Sequence, residues 1–238
     1  MQFRVFTSMA VGINFMLRRS EHLIGVGKRG PSLLLRNLVV FFDEKGARIF
    51  YRLVGLGVKA FKVSLNVTFS KTDASGFGRR TSHTRQDDSK EICVVCILER
   101  WIQHTRDVYG ATEDMPLYDV PDLPALMMEA LHDVMNRTVR SLGVVGKGIR
   151  ATSHSLRYGG ATMLAAAGFP QYIIAHYGGW SENSSALKIY ARPSDQSLQL
   201  VSETMVRITK QEPSKHYIQD LLVRQEQTHA RVRKGRRR

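Results

Sequence analysis

The stretch Ser153-His154-Ser155-Leu156-Arg157 holds two groups suited to an anion. Three residues apart on a helix, His154 and Arg157 are neighbours on one face. An arginine presents a planar fork that grips a phosphate bidentately, and a histidine beside it donates or accepts a proton near neutral pH. Taken alone, His-x-x-Arg is equally a polar pair on a helix surface. Downstream lie Gly178-Gly179-Trp180 and, ten residues after Trp180, Tyr190. A tyrosine hydroxyl forms a covalent intermediate with a phosphodiester if the charge that develops is supported by cationic donors. Taken singly, Trp180 reads as core, and Tyr190 as an amphipathic helix residue with its hydroxyl at the surface.

Two upstream segments complete a pattern. Leu17-Arg18-Arg19-Ser20-Glu21-His22-Leu23 places Arg18 beside an acidic neighbour, and Phe69-Ser70-Lys71-Thr72-Asp73 precedes the turn-forming Ala74-Ser75-Gly76-Phe77-Gly78. By themselves, Arg18 is a salt-bridge partner of Glu21 or Glu44 and Lys71 a solvated turn lysine. In this order, the segments resemble the tyrosine recombinase (phage integrase) family, in particular the forms of eukaryotic mobile elements of the tyrosine-recombinase retrotransposon and Crypton kind. The resemblance spans residues 6–208. It implies a catalytic set of Arg18, Lys71, His154, Arg157, Trp180 and Tyr190, with Arg19 the second choice for the first arginine.

The roles follow from that likeness. Tyr190 is the implied nucleophile, Arg18 and Arg157 stabilise the transition-state charge, and Lys71 protonates the leaving 5′ oxygen. His154 adds a donor or assists with the tyrosine proton. Trp180 has only an indole N–H to offer, so it acts by hydrogen bonding and packing. The implied activity is site-specific recombination or integration through a 3′-phosphotyrosine, without ATP, metal or other cofactor. The implied partner is double-stranded DNA, with a homo-oligomer assembling on it. The location is the nucleus if the source is eukaryotic and the cytoplasm otherwise. A type IB topoisomerase shares this chemistry.

The elements that must position these residues are readable from periodicity. Met9, Ile13, Met16, Leu17 and Leu23 fall at helical spacing and predict one helix over 6–24. From Leu33 to Arg85 short β-branched and aromatic runs (38–42, 50–54, 63–69) predict a small three-stranded antiparallel sheet. Within it Val63, Leu65, Val67 and Phe69 alternate with polar residues, and Lys71 sits at the mouth of a hairpin. From Glu91 the pattern is helical. Ile92, Val95, Leu98, Trp101 and Ile102 form one face; Leu123, Met127, Leu131, Val134 and Met135 form another. Helices are predicted over 154–167, ending at Gly168, and from Pro170 to Gly178-Gly179, with shorter ones over 184–190 and 194–208. The fold class is mainly α with a small antiparallel β-sheet (α+β), arranged as a tyrosine recombinase catalytic-domain fold over 1–210 and followed by a basic tail over 211–238.

Composition agrees with a folded body and a polyanionic partner. The 238 residues are 43% hydrophobic and 24% charged, which excludes collagen-like and wholly disordered chains. The net charge is +14, and Arg231–Arg238 supplies six of those charges, as a nonspecific DNA arm, a nuclear targeting signal or a solvated end. Arg18, Arg36, Lys62, Arg79, Arg80 and Arg85 suggest a basic surface around the hairpin. An RNA-binding reading lacks an RNP-like aromatic motif or a Gly-x-x-Gly clamp in a suitable setting. Cys93 and Cys96 form a lone Cys-x-x-Cys in an apolar stretch and read as core thiols; a tetrahedral zinc site needs a second pair. No apolar run approaches the ~20 residues of a membrane span, and no signal peptide is read. Only 17 residues precede Arg18, so the family's N-terminal core-binding domain is expected to be absent. The alternative reading is therefore a truncated, catalytically inactive DNA-binding relic of a mobile-element integrase.

Overall fold

The computed structural model describes residues 2–23, 33–68, 78–119, 126, 128–143, 150–181, 184–185 and 187, all within a unit over Met1–Arg192. Apolar residues at helical spacing build α1 (Gln2–Asn14), which packs on α3 (Val94–Tyr109) and on α5 (Ser153–Ala166). At the α1–α5 crossing Gly160 faces the Ile13 carbonyl so closely that a Cβ has no room. The helix predicted over 6–24 is broken. Met16 takes a left-handed φ of 46°, and the chain restarts as α2 (Arg19–His22), with Arg18 as its N-cap residue. A methionine in that region is strained. Here the Met16 side chain is buried and its carbonyl accepts Arg157 Nη1, so the surrounding structure holds the turn.

The sheet has four strands among the described residues, one more than expected. β1 (Leu38–Phe41), β2 (Arg48–Ile49), β3 (Lys62–Val67) and β4 (Arg79–Thr84) pair antiparallel in the order β2-β1-β3-β4. The run expected as a strand over 50–54 is instead a 3-10 turn at Tyr51–Leu53. Arg106 pins that turn by donating to the Arg52 and Val54 carbonyls. On β3, Val63, Leu65 and Val67 are buried as the alternation predicts, while Phe69 lies outside the described residues.

β4 is an edge strand, and α6 (Gln171–Gly178) covers it. His176 Nε2 donates to the Arg80 carbonyl (3.0 Å) and the Tyr177 hydroxyl to the Ser82 carbonyl (2.6 Å). Two edge acceptors are thereby satisfied and withheld from another strand. The main core lies between α1, α3, α4 (Met128–Ser141) and the sheet, around a buried Trp101 whose indole donates to the Leu117 carbonyl at 2.7 Å. Cys93 and Cys96 are buried in it, as core thiols. Ile92, expected on the α3 face, sits exposed just before that helix. Leu123 and Met127, and most of the helices expected over 184–190 and 194–208, lie outside the described residues. Among the described residues no helix is long and apolar enough to cross a membrane.

Candidate anion-binding active site

The site is built around one buried carboxylate. At the third position of α2, Glu21 accepts the Arg18 backbone N–H on Oε2 at 2.9 Å, the returning half of a capping box. Its Oε1 accepts Arg18 Nη1 at 2.9 Å. From β4, Arg79 adds a fork, Nη1 to Oε1 at 3.0 Å and Nη2 to Oε2 at 2.9 Å. These four bonds use the four lone-pair positions of a carboxylate. Burial pushes the Glu21 carboxyl up, but the hydrogen bonds and charges of Arg79, and then of Arg18, outweigh it and hold the pKa at about 2. Glu21 is therefore an anion at any physiological pH.

A third arginine reaches the same place from a helix far along the chain. Arg157, one turn inside α5, is 3% exposed, and Nη1 donates to the Met16 carbonyl, two residues before Arg18. The Trp180 ring covers the Arg157 guanidinium, with Cζ 3.9 Å from the ring centroid. Such stacking favours a cation over an aromatic face. The preceding residue, Gly179, ends α6 with φ 60° and offers its carbonyl to Arg18 Nη2 at 2.6 Å. A Cβ on Gly179 would lie 2.7 Å from Arg79 Nη1. Glycine is thus required there twice, for its left-handed backbone and for the space it leaves. The loop Gly179-Trp180 ties Arg18 to Arg157, so two guanidiniums on the Glu21 carboxylate and a third beneath Trp180 gather at one place. The local excess of positive charge suits a phosphate oxygen.

α4 holds the start of α5. Asn136 Oδ1 accepts the Ala151 N–H at 2.9 Å, its Nδ2 donates to the Ala151 carbonyl at 2.8 Å, and His132 Nε2 accepts the Ser153 N–H at 2.9 Å. Burial, then the charge of Arg19, lowers the His132 pKa, which keeps that nitrogen unprotonated. His154 follows on this pinned turn and is exposed, whereas Arg157 is buried, so the two differ in access although both lie on α5. Lys71 and Tyr190 lie outside the described residues. Leu187, three residues before Tyr190, is fully buried with Met16, Ala161, Ile174 and Ala175, in a cluster against which Trp180 packs.

Of the sequence-derived set, the structure brings Arg18, Arg157 and Trp180 together. Glu21, Arg79 and Gly179 stand outside that set, although Glu21 belongs to the Leu17–Leu23 motif and Gly179 precedes Trp180. Part of the basic surface expected around the hairpin is spent on neighbouring acids. Arg79 is committed to Glu21, Arg85 to Asp87 and Glu99, and Arg36 to Asp114. Lys62 and Arg80 instead stand over the Phe41 ring, at 4.5 and 5.4 Å.

A helical body, a four-stranded antiparallel sheet and an arginine pocket closed by a Gly-Trp loop together define a tyrosine recombinase catalytic-domain fold. The chain belongs to the phage integrase family, whose model matches residues 66–197. Among solved structures it is similar to the XerH site-specific recombinase bound to palindromic difH substrate in a post-cleavage complex. That match has a TM-score of 0.54 and 16% identity, covering 84% of this chain and 45% of the other. It is also similar to the XerA recombinase, with a TM-score of 0.50 and 16% identity over 89% of this chain and 59% of that one. At such identity the likeness establishes the fold. The chain spans about half the length of the recombinases it matches. No curated protein sequence matches it.

Proposed function

We propose that this chain is the catalytic domain of a site-specific DNA recombinase or integrase that cleaves and rejoins strands through a 3′-phosphotyrosine. The observation that carries the reading is the closure of Arg18 and Arg157, far apart in the sequence, around Gly179-Trp180 into one anion pocket. In the proposed step the Tyr190 oxygen attacks phosphorus, a phosphorus–oxygen bond to the tyrosine forms, and the bond to the 5′ oxygen breaks. The tyrosine proton leaves with help from His154, and Lys71 delivers a proton to the departing 5′ oxygen. Arg18 and Arg157 stabilise charge on the non-bridging oxygens. The ester energy is retained in the phosphotyrosine, so rejoining is the reverse step and needs no ATP. Exchange between two duplexes calls for more than one copy of the chain on the DNA.

The test is incubation with suicide duplexes that trap the cleaved strand, followed by a denaturing gel. A covalent protein–DNA adduct is expected, and Tyr190→Phe should abolish it. Salt-sensitive DNA binding with no adduct, even after fusion of a recombinase core-binding domain ahead of residue 1, would overturn the reading in favour of an inactive DNA-binding protein.

A further inference from the structure

We propose that Arg79 is a positioning residue for the anion pocket: acting through Glu21, it fixes where the Arg18 guanidinium sits. Only the kinetic consequence of this inference rests on the DNA-cleavage reading. Arg79 opens β4, eight residues after Lys71 in the sequence. Its side chain is 9% exposed, and that of Glu21 is 1% exposed. Each Glu21 oxygen serves one group of Arg18 and one of Arg79. Any movement of the carboxylate that loses Arg79 is therefore passed directly to Arg18.

Gly179 closes the arrangement. Its carbonyl takes Arg18 Nη2, and its missing Cβ leaves room for Arg79 Nη1. Arg79, Glu21, Arg18 and Gly179 thus form a ring of contacts in which each member limits its neighbours. A lysine at position 79 keeps the charge but brings a single point donor, which cannot engage both oxygens as a planar fork does. One carboxylate then keeps the strand leaving the hairpin in register with Arg18, the N-cap of α2. Arg80, the next residue, plays no such part, since it lies exposed over Phe41.

Two readouts test this on the full chain. With saturating suicide duplex, the first-order rate of adduct formation should fall on the order of 10- to 100-fold in Arg79→Ala, the scale of ~1 Å misplacements. The dissociation constant for DNA should stay within about threefold, because Arg79 acts through Glu21 and not on the phosphate. Arg79→Lys should recover only part of the rate. In a Glu21→Gln background, Arg79→Ala should add less than about threefold, since the two residues act as one unit.

The second readout is nitrogen-15 NMR of the Arg18 guanidinium, assigned by its loss in Arg18→Lys. Rotation about the Cζ–Nε bond should be hindered in the wild type and fast in both Arg79 variants. This signal does not depend on cleavage. A wild type that forms no adduct even with the fused core-binding domain would sink the cleavage reading and leave the Arg79 inference to be judged on Arg18 alone. An unchanged Arg18 signal in a folded Arg79 variant would overturn it, as would an unchanged rate in an active protein. Should Arg79→Ala not fold, Arg79→Lys carries both measurements.

Discussion

His22 sits next to Glu21 with its ring buried, Nε2 within 3.0 Å of the Ser8 hydroxyl and 2.8 Å of the Ser8 carbonyl. The carbonyl can only accept, so Nε2 carries a proton. Burial lowers its pKa from 6.5 to about 4, against smaller upward pulls from the Ser8 bond and the Glu21 charge. The unfolded chain takes up a proton near pH 6.5 and the folded chain only near 4. Stability present above that window is therefore lost on acidification through it, by about 3 kcal/mol for this one residue. His22→Gln should shrink the loss in unfolding free energy between pH 7 and pH 4.5 by about 2 kcal/mol, measured by urea titration. A residual slope is expected because burial also lowers His83 and His132. An unaltered slope would show that His22 does not stay neutral. At the same scale, the salt-bridge reading of Arg18 and its role in the pocket are one fact, because the Glu21 bond is what orients the guanidinium.

The element that carries Arg157 is held by α4, and its first turn depends on side chains outside it. The opening N–H groups of a helix need partners, and the one at Ser153 is served by His132. Replacing His132 by alanine removes that acceptor and should cost about 1 kcal/mol, the usual worth of a helix cap; chemical denaturation reads the loss directly. A cost near zero would mean that water substitutes fully. α3, α5 and α6 were legible in the sequence because their apolar residues recur at helical spacing and their ends carry glycine or proline. β4 was not, for a physical reason. Its inward positions are Arg79, Thr81 and His83: Thr81 is buried, and the half-buried Arg79 and His83 are held by the Glu21 pair and by edge contacts with Phe15 and Tyr177, so no apolar alternation marks it. The break at Met16 was equally hidden, since apolar spacing continues through it and no glycine marks the left-handed turn. Arg18, Arg157 and Trp180 could be found by their order in the chain. Arg79 could not, because only tertiary structure sets it against Glu21.

For the molecule as a whole, the +14 charge is unevenly available. Many of the described cations are engaged: Arg36 with Asp114, Arg106 with Asp107, Arg137 with Asp133, and Arg79 and Arg85 with buried acids. Exposed pairs of this kind hold little stability, but each cancels a charge that would otherwise meet a phosphate. The six cations of Arg231–Arg238 have no acid among them and are the densest positive segment of the chain. On the proposed reading they supply nonspecific attraction to the duplex, while the Arg18–Arg157 pocket engages a single phosphate. Each phosphate neutralised on B-DNA contributes about 0.9 to the slope of log K against log salt, so six contacts give about 5. Deleting 231–238 should therefore flatten that slope by about 3–5 and weaken binding most at low salt. The Tyr190-dependent adduct should persist once DNA is saturating, since the deletion leaves the pocket intact. An unchanged slope would place the duplex against the body of the domain alone, and the exposed Arg80 and half-buried Lys62 would then be the cations to substitute next.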